Sequence, residues 1–260
     1  MYDIQKASIL KRVSAFLLDF ILMTIALTGF ALLLSTVFGY DNYVRDLNQK
    51  REEYETVYIG EELIKEGVTF DIEKAKYDAL DEDTRKILDD AYAHFQKDRA
   101  VIFNYNMLFN LTLTIASLSI VISYLVVEFM FPMIFGNGQT VGKKIFGIGV
   151  VHQNAVKITG VAAFTRAILG KCVIETMIPV IVAITMLFGG GGIVGLIVLG
   201  LILFLEVFVF FKEKNFTLIH DVIAHTITVD LSSQMVFDTP EDLAQYIANK
   251  RAKQVSESEY

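Results

Sequence analysis

Four long apolar stretches, separated by polar blocks of differing character, organise this chain. Residues 13–38, VSAFLLDFILMTIALTGFALLLSTVF, contain a single ionisable group, Asp19. A hydrocarbon core of about 30 Å needs roughly 20 apolar residues in a helix, so this run is long enough to cross with tilt. Lys6, Lys11 and Arg12 precede it and resemble the basic start of a signal peptide. The apolar run outlasts the roughly 7–15 residues of a signal core, shows no A-x-A cleavage site, and reads as a retained first span. Residues 105–135 form a second stretch, with Glu128 near one end and Pro132 placed to kink it. A third covers about 168–188, with Lys171 and Glu175 near its start and Pro179 inside. A fourth covers about 193–211, with Glu206 in its last third, and glycines 189–192 form the turn between the two.

The intervening polar blocks predict smaller elements. Residues 41–104 read as a helical hairpin insert, with helices over about 42–66 and 71–102. Gly67 is a suitable stop, and Thr69 or Asp71 a suitable cap. In the connector 136–167, GIGVVH and AVKIT flank a polar turn at Gln153 and Asn154 and predict a small β-hairpin. The alternating HTITVDL after the fourth stretch is a third strand that can join it. TVGKKIFG before the hairpin reads as an interfacial turn with its lysines toward lipid headgroups. Thr239, Pro240, Glu241 and Asp242 open a further helix in a polar tail. The expected fold class is an all-α integral membrane protein. It has four transmembrane helices, an external helical hairpin insert and a small cytoplasmic β-hairpin or sheet. The parts are 1–40, 41–104, 105–235 and 236–260.

Charge adds an orientation. Block 41–100 holds ten Lys/Arg and seventeen Asp/Glu, so it carries a net −7, the charge of the whole chain. The short loops are basic: Lys6, Lys11 and Arg12 before the first span, Lys143, Lys144, Lys157 and Arg166 in the connector, Lys212 and Lys214 after the fourth span. The positive-inside rule puts all three, and both chain ends, in the cytoplasm of a multi-pass cell-membrane protein, with the acidic insert outside. The acidic balance argues against a nucleic-acid partner. Cys172 is the single cysteine, so no intrachain disulfide can form, and the four histidines show no zinc spacing. No Ser/His/Asp triad, HExxH or Rossmann glycine pattern is present. GQTVGKK lacks P-loop spacing. An enzyme is not expected, nor is a cofactor.

Ionisable residues in or near the spans carry the candidate chemistry. A charge at the bilayer centre costs roughly 2.5–3.5 kcal/mol on insertion scales, so each must face a partner, a cavity or a headgroup. Asp19 follows Arg12 by seven residues, roughly 10 Å along a helix axis, and so needs another partner: water, a cation or a base from another span. Asp19, Glu128, Glu175 and Glu206 all fall in cytoplasmic halves of the spans and can converge on one cation or proton site. The competing reading ties each to its own neighbour, with Lys171 and Arg166 as supporting cations. His220 beside Asp221 is more often a local structural pair than a proton relay.

KRVSAFLLDFIL, GNGQTVGKKIFGIGVV, FTRAIL and FTLIHDVIAHTITV occur in that order and together resemble the RDD family of membrane proteins, named for an Arg and two Asp. Arg12 and Asp19 match the opening motif, Arg166 the following arginine segment and Asp221 the second aspartate. The resemblance covers about 1–38 and 105–231, and the 41–100 insert departs from it. It implies transport of ions or small solutes, with cation/proton antiport in some members. The expectation is therefore a small transporter, a monovalent cation exchanged for protons. Asp19, Glu128, Glu175 and Glu206 are its cation- or proton-binding residues, Arg12 and Asp221 a structural or gating pair, and Arg166, Lys171 and His220 supporting. Four spans are few, so a homo-oligomer is expected. The alternative is a non-transporting scaffold or regulator that binds a membrane-protein partner through the insert.

Overall fold

The computed structural model describes residues 4–187, 189–190, 192–212 and 218–258. It is mostly helical, and four helices are long and apolar enough to cross a membrane: Ile9–Phe38, Arg99–Phe135, Gly160–Leu187 and Gly192–Val209. They are spans one to four. Large apolar side chains of span one stay exposed, Phe16 at 59% and Leu32 at 66%, as a lipid-facing surface requires. Span two begins at Arg99, six residues before the apolar run, because Asp98 stops the preceding helix. Gly189 closes span three in a left-handed conformation, and the Gly190 N–H returns to the Thr185 carbonyl at 2.8 Å. Gly191 lies outside the described residues, as does Lys214.

Two spans are not regular α-helices. Leu125–Met130 in span two and Thr165–Met177 in span three are wound as π-helix. The sequence supplies a cause in both. A proline cannot donate to the carbonyl four residues earlier, and its ring crowds that carbonyl. Pro132 stands four residues after Glu128 and Pro179 four after Glu175. The wider winding lies just ahead of each proline, and such segments recur at functional sites.

The chain divides into two compact units, 32–116 and a second made of 1–31 with 117–260. The first is wider than the 41–104 insert. Its first helix stops earlier than the pattern predicts: Tyr40–Tyr54 leads into a π turn, Glu55–Ile59, and breaks at Gly60 (φ 87°). Its second is divided in two, because Asp81 accepts the Thr84 N–H at 2.9 Å and caps a new helix, Glu82–Lys97. Ile59, Val68, Leu88 and Ala91 form its core. Glu55 is buried there and accepts the Phe70 N–H at 2.8 Å.

The second unit holds the sheet. β1 (Ile148–His152) and β2 (Thr226–Asp230) pair antiparallel, Ile148 opposite Asp230 and His152 opposite Thr226. The predicted hairpin between GIGVVH and AVKIT is thus corrected. The second run contributes only isolated bridges, Val151 with Lys157 and Val156 with Phe237. HTITVDL supplies the true partner strand, because its alternation buries Ile227 and Val229 against Val151. Residues before and at the start of span one extend this layer: Ala7 N–H reaches the Thr228 carbonyl at 3.2 Å, and Lys11 pairs with Asp230 at 2.6 Å. The last helix, Pro240–Ser258, is opened by reciprocal bonds between Thr239 and Asp242.

Candidate functional site

A cavity of about 330 Å³ lies between spans one, two and three, the short helix Val141–Ile145 and the segment Ile219–Ile223. Its wall carries Asp19, Glu128, Glu175 and Asp221, with Arg12, Lys143, Arg166, Lys171 and His220 among them. Four carboxylates thus meet four Lys or Arg side chains and one histidine, and the wall is close to charge-balanced. The apolar rim comes from span one, including Val13, Phe16 and Phe20.

Each carboxylate is held differently. Glu128 accepts from Lys171 Nζ at 2.6 Å on Oε1, and its Oε2 lies 3.9 Å from Lys143 Nζ. Asp221 is 1% exposed and accepts from Arg166 Nε at 2.9 Å and from the Thr226 hydroxyl at 2.9 Å. Arg166 holds its carboxyl below the usual range despite burial, which acts the other way. Glu175 accepts both the backbone N–H of His220 at 3.0 Å and its ring Nδ1 at 2.8 Å. Burial lowers the His220 imidazole below its ordinary value, although Asp221 opposes the shift.

Asp19 differs from the other three. It is 5% exposed, and its described donors are neutral: the Thr140 hydroxyl and the Gly142 N–H, the latter at 2.7 Å. Thr140 caps the helix Val141–Ile145, so the backbone that starts the helix also grips the aspartate. Gly142 is needed for that grip. A Cβ there would overlap the Ala15 carbonyl oxygen and lie 2.9 Å from Asp19 Oδ1. Lys143 Nζ touches the far side of Thr140 Oγ1 at 3.3 Å.

The predicted residues therefore come together in part. Asp19, Glu128 and Glu175 share the cavity. Glu206 does not line it, but faces Glu175 from span four. Arg12 lines the cavity within electrostatic reach of Asp221, and Arg166 hydrogen-bonds the same carboxylate, which joins span three to the segment after span four. The turn TVGKKIFG is also corrected. Lys143 is buried at 7% exposure and faces the cavity, while Lys144 lies over the Phe135 ring at 4.1 Å. Thr140, Gly142 and Lys143 were missed as site residues. The alternation of inward and outward positions on a capped helix is the signal that could have found them. Among the described residues, no three His, Cys, Asp or Glu side chains cluster as a metal site.

The motifs meet here in space. Gly142 and Lys143 of the connector touch or adjoin the first aspartate, and Arg166 binds the second. Residues 6–225 match the sequence profile of the RDD family. The chain belongs to the RDD family. No curated protein and no solved structure matches it. This RDD family member is thus a membrane protein by its helices and by descent. Its Arg166, Asp19 and Asp221 belong to one cavity wall.

Proposed function

We propose that this RDD protein is a small transporter that exchanges a monovalent cation for protons across the cell membrane. The observation that carries the reading is Asp19: a buried carboxylate on a shared cavity wall, held by neutral donors, while its neighbours there engage bases. A buried carboxylate whose described donors are neutral gains from a cation placed beside it, and oxygen ligands suit hard cations. Thr140 Oγ1 is a second oxygen beside it. Lys171 with Glu128, and Arg166 with Asp221, act as fixed pairs that hold the wall in place.

The orientation in this proposal is that of the basic loops, with both ends cytoplasmic, and the working unit is a homo-oligomer. The test is a proteoliposome assay in which an imposed sodium or potassium gradient drives proton movement, read by an internal pH dye. Wild type is expected to respond. Asp19→Asn, which keeps the size and loses the charge, is expected to lose at least about tenfold in rate, the loss of one significant interaction. A folded Asp19→Asn protein that exchanges at the wild-type rate overturns the reading.

One observation favours a second reading, a scaffold that binds a membrane-protein partner. Unit 32–116 has its own hydrophobic core and so is a self-contained candidate surface. Replacing residues 45–98 by a short linker separates the two. A transporter retains flux, whereas a scaffold loses its complex and keeps a folded membrane core.

A further inference from the structure

Glu206 is the acidic residue of span four, and among the described residues it meets no base. Its Oε2 is shielded from solvent and accepts from no donor. The groups facing it are Glu175 of span three and the Ile219 backbone. Glu175 in turn faces His220, Lys171 and Glu206. His220 faces Glu175, Asp221, Arg166 and Lys171.

The hydrogen-bond count decides what this contact requires. Glu175 already accepts from the His220 backbone N–H at 3.0 Å and from ring Nδ1 at 2.8 and 3.0 Å. Those bonds call for an ionised Glu175. Two ionised carboxylates do not remain in hydrogen-bond contact in a dehydrated setting, because like charges there repel strongly. The contact between Glu206 and Glu175 therefore needs one proton, and the donor is the Glu206 carboxyl. The neutral Nδ1–H tautomer of His220 completes the row: Glu206 to Glu175, His220 to Glu175.

We propose that Glu175, Glu206 and His220 form a proton-binding site, separate from Asp19, whose proton latches span four and the segment Ile219–Ile223 onto span three. Losing the proton places two anions in contact and drives Glu206 from Glu175. The backbone contact at Ile219 is then lost with it. Close packing makes the latch stiff: a Cβ on Gly170 of span three would come within 2.5 Å of His220 Cβ, so the segment sits directly on that helix. Asp221 in the same segment bonds to Arg166, so a change at the latch is transmitted to the cavity wall. The site deepens the exchange reading, on which its role as the proton carrier rests. The proton itself is observable without any flux.

Two measurements on the full chain in lipid bilayers test it. Infrared difference spectroscopy between acidic and alkaline pH is expected to show one protonated carboxyl that disappears on alkalinisation. That signal is expected to vanish in Glu206→Gln, whose amide keeps a donor toward Glu175 but cannot titrate. Hydrogen exchange of amides 219–223, corrected for its intrinsic pH dependence, is expected to speed up about tenfold or more in wild type as the proton leaves, and to stay flat in Glu206→Gln. Glu175→Gln is the second variant, in case the first does not fold; it is expected to remove the same carboxyl signal. A carboxyl band unchanged in either folded variant, or exchange at 219–223 that tracks wild type in Glu206→Gln, overturns the latch. Loss of flux in Asp19→Asn beside an unchanged band leaves exchange standing and removes only the latch. A Glu206-dependent band beside normal flux in Asp19→Asn does the reverse.

Discussion

At the scale of single residues, the cavity is governed by how each buried charge is answered. Arg166 and Asp221 are nearly sealed from solvent and bonded at 2.9 Å. Removing one member strands the other, which costs about 3–5 kcal/mol; removing both in favour of apolar groups is often neutral. Arg166→Met and Asp221→Leu are each expected to lower thermal stability in detergent steeply, while the double variant recovers most of it. Equal, additive losses would show that the two do not act as a pair. Lys143 gives a second residue-level prediction. Burial pulls its ammonium down to about 8 from 10.5, and the nearby Glu128 only partly offsets this. Between those values the unfolded chain holds a proton that the native chain lacks, so the lysine's contribution to stability rises with pH. Relative to Lys143→Met, wild type is expected to gain stability from pH 8 to 10, approaching about 1.4 kcal/mol per pH unit. A constant gap between the two melting curves would place Lys143 at its ordinary value. None of these contacts was readable from spacing: Arg166 and Asp221 are 55 residues apart, and Asp19 and Gly142 are 123 apart. The residue types were readable. A charge in an apolar run announces that something must face it, but not what.

At the scale of elements, legibility tracks how local the cause is. The four spans follow from runs of apolar residues, and their existence needs no knowledge of the rest of the chain. The tail helix was legible for the same reason, because Thr239 and Asp242 cap it within one turn. The β-pairing was not. The runs around Gln153 and Asn154 have a hairpin pattern, but β1 is satisfied by β2, whose Thr228 stands opposite Val150 from 78 residues further on. Burial of Ile227 and Val229 rewards that partner over the nearer one. The lysine turn was misread because two adjacent lysines suggest a headgroup patch. Helical winding from the Thr140 cap instead sends neighbouring side chains in different directions. The π segments were legible only in their prolines. Pro179→Ala restores a donor for the Glu175 carbonyl and is expected to rewind part of Thr165–Met177 as α-helix, which shifts the angular positions of Arg166, Lys171 and Glu175. Helix content by circular dichroism should hold while cation-driven proton flux falls severalfold. Unchanged flux in a well-folded variant would show that the wide winding does not set the site.

At the scale of the whole molecule, the open question with the sharpest physical answer is which way the chain crosses. Four spans return both ends to one side. In the proposed topology the short loops with an excess of Lys and Arg share that side, and the positive-inside rule assigns such loops to the cytoplasm. The acidity of 41–100 adds little, because long segments translocate largely regardless of charge. Labelling can decide the matter cleanly because Cys172 is the only cysteine and is fully buried, so the wild-type background is silent to a membrane-impermeant maleimide. Gly60 is a poor place for a new thiol, since its φ of 87° disfavours any side chain. Glu62 is exposed on the next helix, and Ser232 is exposed just after β2. Glu62→Cys is expected to label in intact cells, and Ser232→Cys only after permeabilisation. The reverse pattern would invert the molecule, place the Asp19 cavity toward the outside and turn the direction of any exchange around. Labelling of both in intact cells would mean an even number of crossings between them, so that one of the three helices separating these positions does not cross.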